Sequence, residues 1–132
     1  IGVGLVGSEM CIRDRVLPQL QGRLDGTAVR VPTPNVSMID LVFNSKRKID
    51  TVTINKAMIN ASKGELKGVL GVEDKPLVSI DYNHNPLSSI FDLTQTQVIN
   101  GRLGRILSWY DNEWGFANRM SDTASFIGKL IN

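Results

Sequence analysis

At 132 residues the chain has material for one domain with a respectable core, and its net charge of +2 comes from scattered basic residues. Apart from Lys46-Arg47-Lys48 there is no basic cluster, which argues against a nucleic-acid footprint. No apolar run reaches the roughly 18 residues of a membrane span, and a single cysteine excludes an internal disulfide framework and fits a reducing compartment. The N-terminus places no basic region ahead of its apolar stretch, so a secretory signal is not expected.

The first fifteen residues differ in character from the rest of the chain. Ile1 to Gly7 is glycine and aliphatic, Ser8 to Arg15 is polar and charged, and neither joins smoothly to Val16. Gly2-Val3-Gly4-Leu5-Val6-Gly7 fits the dinucleotide pattern G-x-G-x-x-G in letters only. That fingerprint needs a strand before it and a βαβ unit of about 30 residues, and only Ile1 precedes Gly2. Val6 to Arg15 is similar to a translated sequencing-adapter stretch. Residues 1–15 are therefore expected to be foreign to the fold, although Ser8 to Arg15 would tolerate a helical turn.

From Val16 the chain is orderly. Gly26 to Thr33 reads as a strand ended by Pro32 and Pro34. Val36 to Asn44 reads as a cleaner one, with Ile39, Leu41 and Phe43 on one face and Met38, Asp40 and Val42 on the other. Asp50 is placed to cap a helix with the apolar stripe Ile54, Ala57, Met58 and Ala61, and Gly64 is placed to stop it. Leu77 to Tyr82 reads as a strand, and Asn83-His84-Asn85-Pro86 as a turn. Ser89 to Ile99 reads as a long strand, joined by the two-residue hairpin signal Asn100-Gly101 to a strand over Arg102 to Tyr110. On that last strand Leu103, Leu107 and Trp109 share a face with Arg105. Past Tyr110 the period changes from two to 3.6, and Trp114, Ala117, Met120, Ala124, Ile127 and Ile131 form the stripe of a helix from about Trp114 to Leu130. The whole predicts an α+β fold, a mostly antiparallel sheet with helices on one face and a long C-terminal helix.

The switch of period falls on Asp111-Asn112-Glu113. Three polar residues at the mouth of a helix are capping chemistry, because exposed amide hydrogens there seek side-chain oxygens. The same corner has a second use: an asparagine offers donor and acceptor together, which suits a carboxamide. Physics alone ranks the cap first.

The run Ser108-Trp109-Tyr110-Asp111-Asn112-Glu113-Trp114-Gly115-Phe116-Ala117-Asn118-Arg119 closely resembles the segment that opens the last helix of phosphorylating glyceraldehyde-3-phosphate dehydrogenases. The family calls for Tyr or Phe where Phe116 stands, and the resemblance extends from Val16 to the C-terminus. It implies the family's sheet-built catalytic domain, with residues 16–132 as its C-terminal part and a last helix that packs on the nucleotide domain. It also implies that Asn112 holds the nicotinamide carboxamide of NAD. NADP stays open, since that choice belongs to the nucleotide domain.

Arg30, in Gly26-Thr27-Ala28-Val29-Arg30-Val31-Pro32-Thr33-Pro34-Asn35, reads on its own as an ion-pairing residue near a strand end. The resemblance makes its counterpart a ligand of substrate phosphate or of attacking inorganic phosphate, a task suited to the guanidinium fork. Cys11 lies in Glu-Met-Cys-Ile-Arg rather than the family's Ser-Cys-Thr-Thr-Asn-Cys motif, and is not read as the nucleophile. His84, set between two asparagines before a proline, is read as a solvated turn residue, and the resemblance places the family's base upstream of Val16. Asp40, Trp109 and Arg119 match family positions and are read as structural, with Asp40 answering a buried basic group or backbone donor. Asp81 and Asp92 receive no site role.

The implied activity is oxidation of glyceraldehyde 3-phosphate with NAD and phosphate to 1,3-bisphosphoglycerate, through a cysteine thioester. The implied setting is glycolysis, in a cytoplasmic homotetramer, with no metal, nucleic acid or membrane partner. The 132 residues alone, lacking nucleophile and base, are expected to be inactive. Erythrose-4-phosphate dehydrogenase is the alternative within the class, favoured by Pro76 to Pro86 and by Thr94-Gln95-Thr96, whereas Ser108-Trp109-Tyr110 suits the triose enzyme. A non-catalytic binding or assembly module is the alternative outside it.

Overall fold

The computed structural model describes residues 16–131, so the stretch expected to be foreign, with Cys11, lies outside the described residues. The chain divides into two compact units, Ile1–Thr33 and Pro34–Asn132. The described part of the first holds one turn of 3-10 helix, Pro18–Leu20, and is otherwise irregular. The strand predicted over Gly26 to Thr33 is not formed. Val29 and Val31 are 81% and 62% exposed, and the Thr33 amide donates to the Val31 carbonyl at 2.8 Å, a γ-turn that bends the chain. A strand is held by ladder bonds to a neighbour, and Pro32 and Pro34 have no amide hydrogen to offer one.

The second unit contains β1 (Ser37–Asn44), α1 (Thr51–Lys63), β2 (Leu70–Glu73), β3 (Ser89–Asp92), β4 (Gln97–Ile99), β5 (Leu103–Tyr110) and α2 (Trp114–Ile131). The five strands form one sheet in the order β1-β5-β3-β2, with β4 also paired to β5. β5 is its axis. It runs antiparallel to β1 over its whole length, from Ser37↔Tyr110 to Asn44↔Leu103. Its other edge is shared end to end by β3, through Ile90↔Trp109, and by β4, through Ile99↔Leu103. Only β2 and β3 are parallel. The α+β expectation holds, and the antiparallel bias holds in three of the four pairings.

Local chemistry explains where strands start and stop. Asn100 and Gly101 both have positive φ, 52° and 63°, the left-handed pair a two-residue hairpin requires. Asp50 caps α1 by accepting from the Thr53 amide at 2.7 Å, and Gly64 comes directly after the last turn. Leu77 to Tyr82 is not the predicted strand: Ser79–Tyr82 is a 3-10 turn, with the Asp81 carboxylate accepting from the Val78 amide at 2.9 Å. The carboxylate offers the backbone a local partner in place of a ladder. The predicted strand over Ser89 to Ile99 is broken the same way. Asp92 accepts from the Thr94 amide at 2.9 Å and its hydroxyl at 2.6 Å, turning the chain through a 3-10 turn over Leu93–Gln95.

The core gathers Val36, Tyr82 and Ile90, with Leu77, Leu87 and Trp109 packed against them. The Tyr82 ring stacks on Trp109 with centroids 5.3 Å apart, and the Trp109 indole donates to Asp92 at 3.3 Å. Burial, reinforced by the charges of Asp92, Glu73 and Asp81, pushes the Tyr82 phenol up to about 12. Its hydroxyl has no hydrogen-bond partner among the described residues. Tyr82→Phe should therefore leave stability unchanged or raise it by up to about 1 kcal/mol, since the stacking survives and a lone buried hydroxyl is removed. The midpoint of denaturant unfolding tests this, and a loss beyond about 1 kcal/mol would mean that the hydroxyl makes a bond.

Asp40 pairs with Arg105 through two contacts, 2.9 and 2.7 Å, between side chains about 40% exposed. The buried basic partner expected for Asp40 is thus replaced by a surface ion pair, worth little to stability. On α2 only Gly115 is buried, lying so close to the 87–88 backbone that a Cβ there would sit 3.1 Å from the Leu87 carbonyl oxygen. The helix is also tied by Arg119, which donates to the Gly68 carbonyl at 2.7 Å and pairs with Asp122. The rest of its apolar stripe, Met120 and Ile127 included, is exposed. No helix among the described residues is long and apolar enough to cross a membrane.

Candidate functional site

The corner between β5 and α2 is built on Asp111, which is 2% exposed. Its Oδ1 accepts from the Trp114 amide at 2.8 Å and so caps α2. Its Oδ2 accepts from the His84 amide at 2.8 Å and from the Asn35 side-chain amide at 2.9 Å. Burial alone would raise the Asp111 carboxyl, but the donors from Trp114, His84, Asn35 and the Glu113 amide together hold it below the usual carboxylate range. A buried charge is tolerable here because every lone pair that matters is engaged.

Asn112 comes next after this anchor and is itself exposed. The Ser37 hydroxyl, at the start of β1, donates to Asn112 Oδ1 at 2.9 Å. The acceptor half of the side chain is thereby occupied, and the Nδ2 donor makes no hydrogen bond among the described residues. Of the two polar ends of the side chain, the Nδ2 donor is therefore the one left for an outside acceptor. Beside it, the His84 ring packs on Trp114 with centroids 4.8 Å apart, and His84 has a left-handed φ of 60°. His84 is a turn residue as expected, but one whose backbone is part of the corner.

Arg30 belongs to the other compact unit. It is exposed, and it makes no ion pair with any described residue. Among the described residues no group of three or more His, Cys, Asp or Glu side chains is arranged to hold a metal. Sequence reasoning placed Asp111 in the capping corner but missed the partners of its second oxygen, Asn35 among them, and missed Ser37. Asp111 had a signal, since it precedes the Trp114 amide by three positions, but Asn35 and Ser37 come from a segment more than 70 positions away.

The sequence profile of the family "Glyceraldehyde 3-phosphate dehydrogenase, C-terminal domain" matches residues 12–112. The chain is similar to the glyceraldehyde-3-phosphate dehydrogenase of Xanthobacter flavus, 64% identical over 115 residues that cover 87% of this chain and 34% of that protein. The enzyme of the same name from Cereibacter sphaeroides is 58% identical over 116 residues, covering 88% and 35%. Glyceraldehyde-3-phosphate dehydrogenase 1 of Bacillus subtilis is 48% identical over 114 residues, covering 86% and 34%. The chain thus spans about a third of the length of these relatives. With the sheet, the closing helix and the Asp111-Asn112 corner in place, the chain belongs to the C-terminal-domain family of the glyceraldehyde-3-phosphate dehydrogenases, a family of oxidoreductases.

Proposed function

We propose that residues 16–132 form the C-terminal part of a dehydrogenase that oxidises glyceraldehyde 3-phosphate with NAD and inorganic phosphate to 1,3-bisphosphoglycerate, and that the stretch expected to be foreign, residues 1–15, is so at least ahead of Ile12, where the family match begins. The observation that carries this reading is the pinned Asn112, whose acceptor is satisfied by Ser37 and whose donor is uncommitted. Bound NAD, or NADP if the nucleotide domain selects it, supplies the hydride acceptor. This chain's share is positioning: Asn112 orients the nicotinamide carboxamide, and Arg30 takes phosphate oxygens. By the family resemblance, the thiol that forms the thioester and the base beside it lie upstream of Val16. The names of the relatives favour the triose over the erythrose substrate. The same reading carries a cytoplasmic homotetramer.

The test grafts residues 16–132 onto the Xanthobacter flavus relative in place of its matching third. Asn112→Ala in that graft should raise KM for NAD or slow hydride transfer by about three- to tenfold, the scale of one neutral hydrogen bond, with the melting temperature held. Kinetics unchanged in both respects would reduce Asn112 to a helix corner. Glyceraldehyde 3-phosphate should be used more efficiently than erythrose 4-phosphate, and a reversed preference would favour the alternative. A graft active only when residues 1–15 are included would show that stretch to be native.

A further inference from the structure

We propose that Asp111 is a positioning residue for the cofactor: its buried carboxylate sets the backbone at the β5–α2 corner so that the Asn112 amide faces the nicotinamide carboxamide. This rests on the reading of Asn112 given above. A helix cap needs one acceptor oxygen, and Ser, Thr or Asn would supply it as well as Asp. Here the second oxygen does something a cap does not require. It draws in the His84 amide at 2.8 Å and the Asn35 side chain at 2.9 Å, from segments 27 and 76 positions away.

The same Asn35 amide donates to Asn83 Oδ1 at 2.8 Å, so one side chain clamps both the 83–84 turn and the corner. Two residues on from Asn35, Ser37 donates to Asn112 itself. The segment 35–37 therefore grips Asp111 and Asn112 side by side. His84 is held at a positive φ, which costs free energy for a residue with a Cβ and persists only where its surroundings enforce it. With its amide on Asp111 and its ring on Trp114, His84 closes the corner from the far side. Turning the Asp111 backbone would move Asn112 and break all of these contacts at once.

Three variants in the grafted enzyme separate positioning from capping. Asp111→Asn keeps an oxygen for the Trp114 amide but presents an NH2 to two donors. Asp111→Ser keeps a capping hydroxyl and removes the second oxygen. Asn35→Ala removes one donor and leaves the carboxylate. Asp111→Asn and Asp111→Ser should each raise KM for NAD about tenfold, and Asn35→Ala about threefold, while KM for inorganic phosphate stays put. In an Asn112→Ala background these losses should largely vanish, because the residue being positioned is gone. A normal KM for NAD and a normal rate of hydride transfer in Asp111→Ser would mean that only the cap matters and would overturn the proposal. So would losses that simply add to that of Asn112→Ala. If Asp111→Asn fails to fold, Asn35→Ala reads the same coupling in a milder form. Asn112→Ala with unchanged KM for NAD and unchanged hydride transfer, by contrast, sinks the underlying reading and this inference with it.

Discussion

Purified alone, the 132-residue chain should form no NADH from glyceraldehyde 3-phosphate, phosphate and NAD, whereas the graft of residues 16–132 should turn over. Thiolate attack on the aldehyde is the step that binding groups cannot replace, and loss of a covalent nucleophile costs on the order of a millionfold in comparable enzymes. The single thiol here is Cys11, in a sequence context unlike that of the family's nucleophile. The single histidine is His84, whose amide is committed to Asp111 and whose ring lies on Trp114. In the proposed roles, the Asn112 donor and the Arg30 guanidinium would orient ligands without making or breaking bonds. Thiol-dependent turnover by the chain alone would bring Cys11 back as a nucleophile. A correctly folded but inactive graft would favour the non-catalytic module.

Arg30→Ala in the graft should lower kcat/KM for the phosphorylated aldehyde, or the response to inorganic phosphate, by about ten- to a hundredfold. A charge-assisted hydrogen bond contributes roughly 1.5–3 kcal/mol, and each 1.4 kcal/mol is about a factor of ten. The ordinary alternative is a stabilising ion pair, and among the described residues Arg30 is exposed and pairs with no carboxylate. The measurement compares glyceraldehyde 3-phosphate with unphosphorylated glyceraldehyde, at limiting and saturating phosphate, beside a melt. Equal losses for the two aldehydes with unchanged phosphate dependence, or a lowered melting temperature alone, would return Arg30 to a structural role.

Much of the sheet was legible because its signals are local. β1 and β5 announce themselves by alternation, α2 by its 3.6-residue stripe, and the β4–β5 turn by Asn100-Gly101. Errors came where a side chain competes with the ladder. Asp81 and Asp92 each bond the backbone within three positions and so convert predicted strand into 3-10 turn. β2 went unseen because Leu70-Gly71-Val72-Glu73 is too short for a period to show. Gly26 to Thr33 alternates well but carries no ladder, and alternation cannot say whether a partner exists. At the candidate site, Asn112 was visible through its motif. The anchor beneath it was not, because Asp111 draws its donors from residues that no window of sequence places together.

The place of β5 in the sheet bears on how the chain is made. It is the last strand in sequence, yet β1, β3 and β4 all pair with it. During synthesis β1 leaves the ribosome before β5 and waits, with Met38, Ile39 and Val42 lacking their β5 partners, until Tyr110 has emerged. At about 5–20 residues per second that wait lasts seconds, while the β4–β5 hairpin closes in about 1–10 μs once translated. Within this sheet the β4–β5 hairpin, once closed, offers β5 as the edge on which β1 completes its ladder. A transcript that stops short of β5 leaves β1 without the one strand it pairs with among the described residues, and an unpaired edge is what chaperones and aggregates compete for.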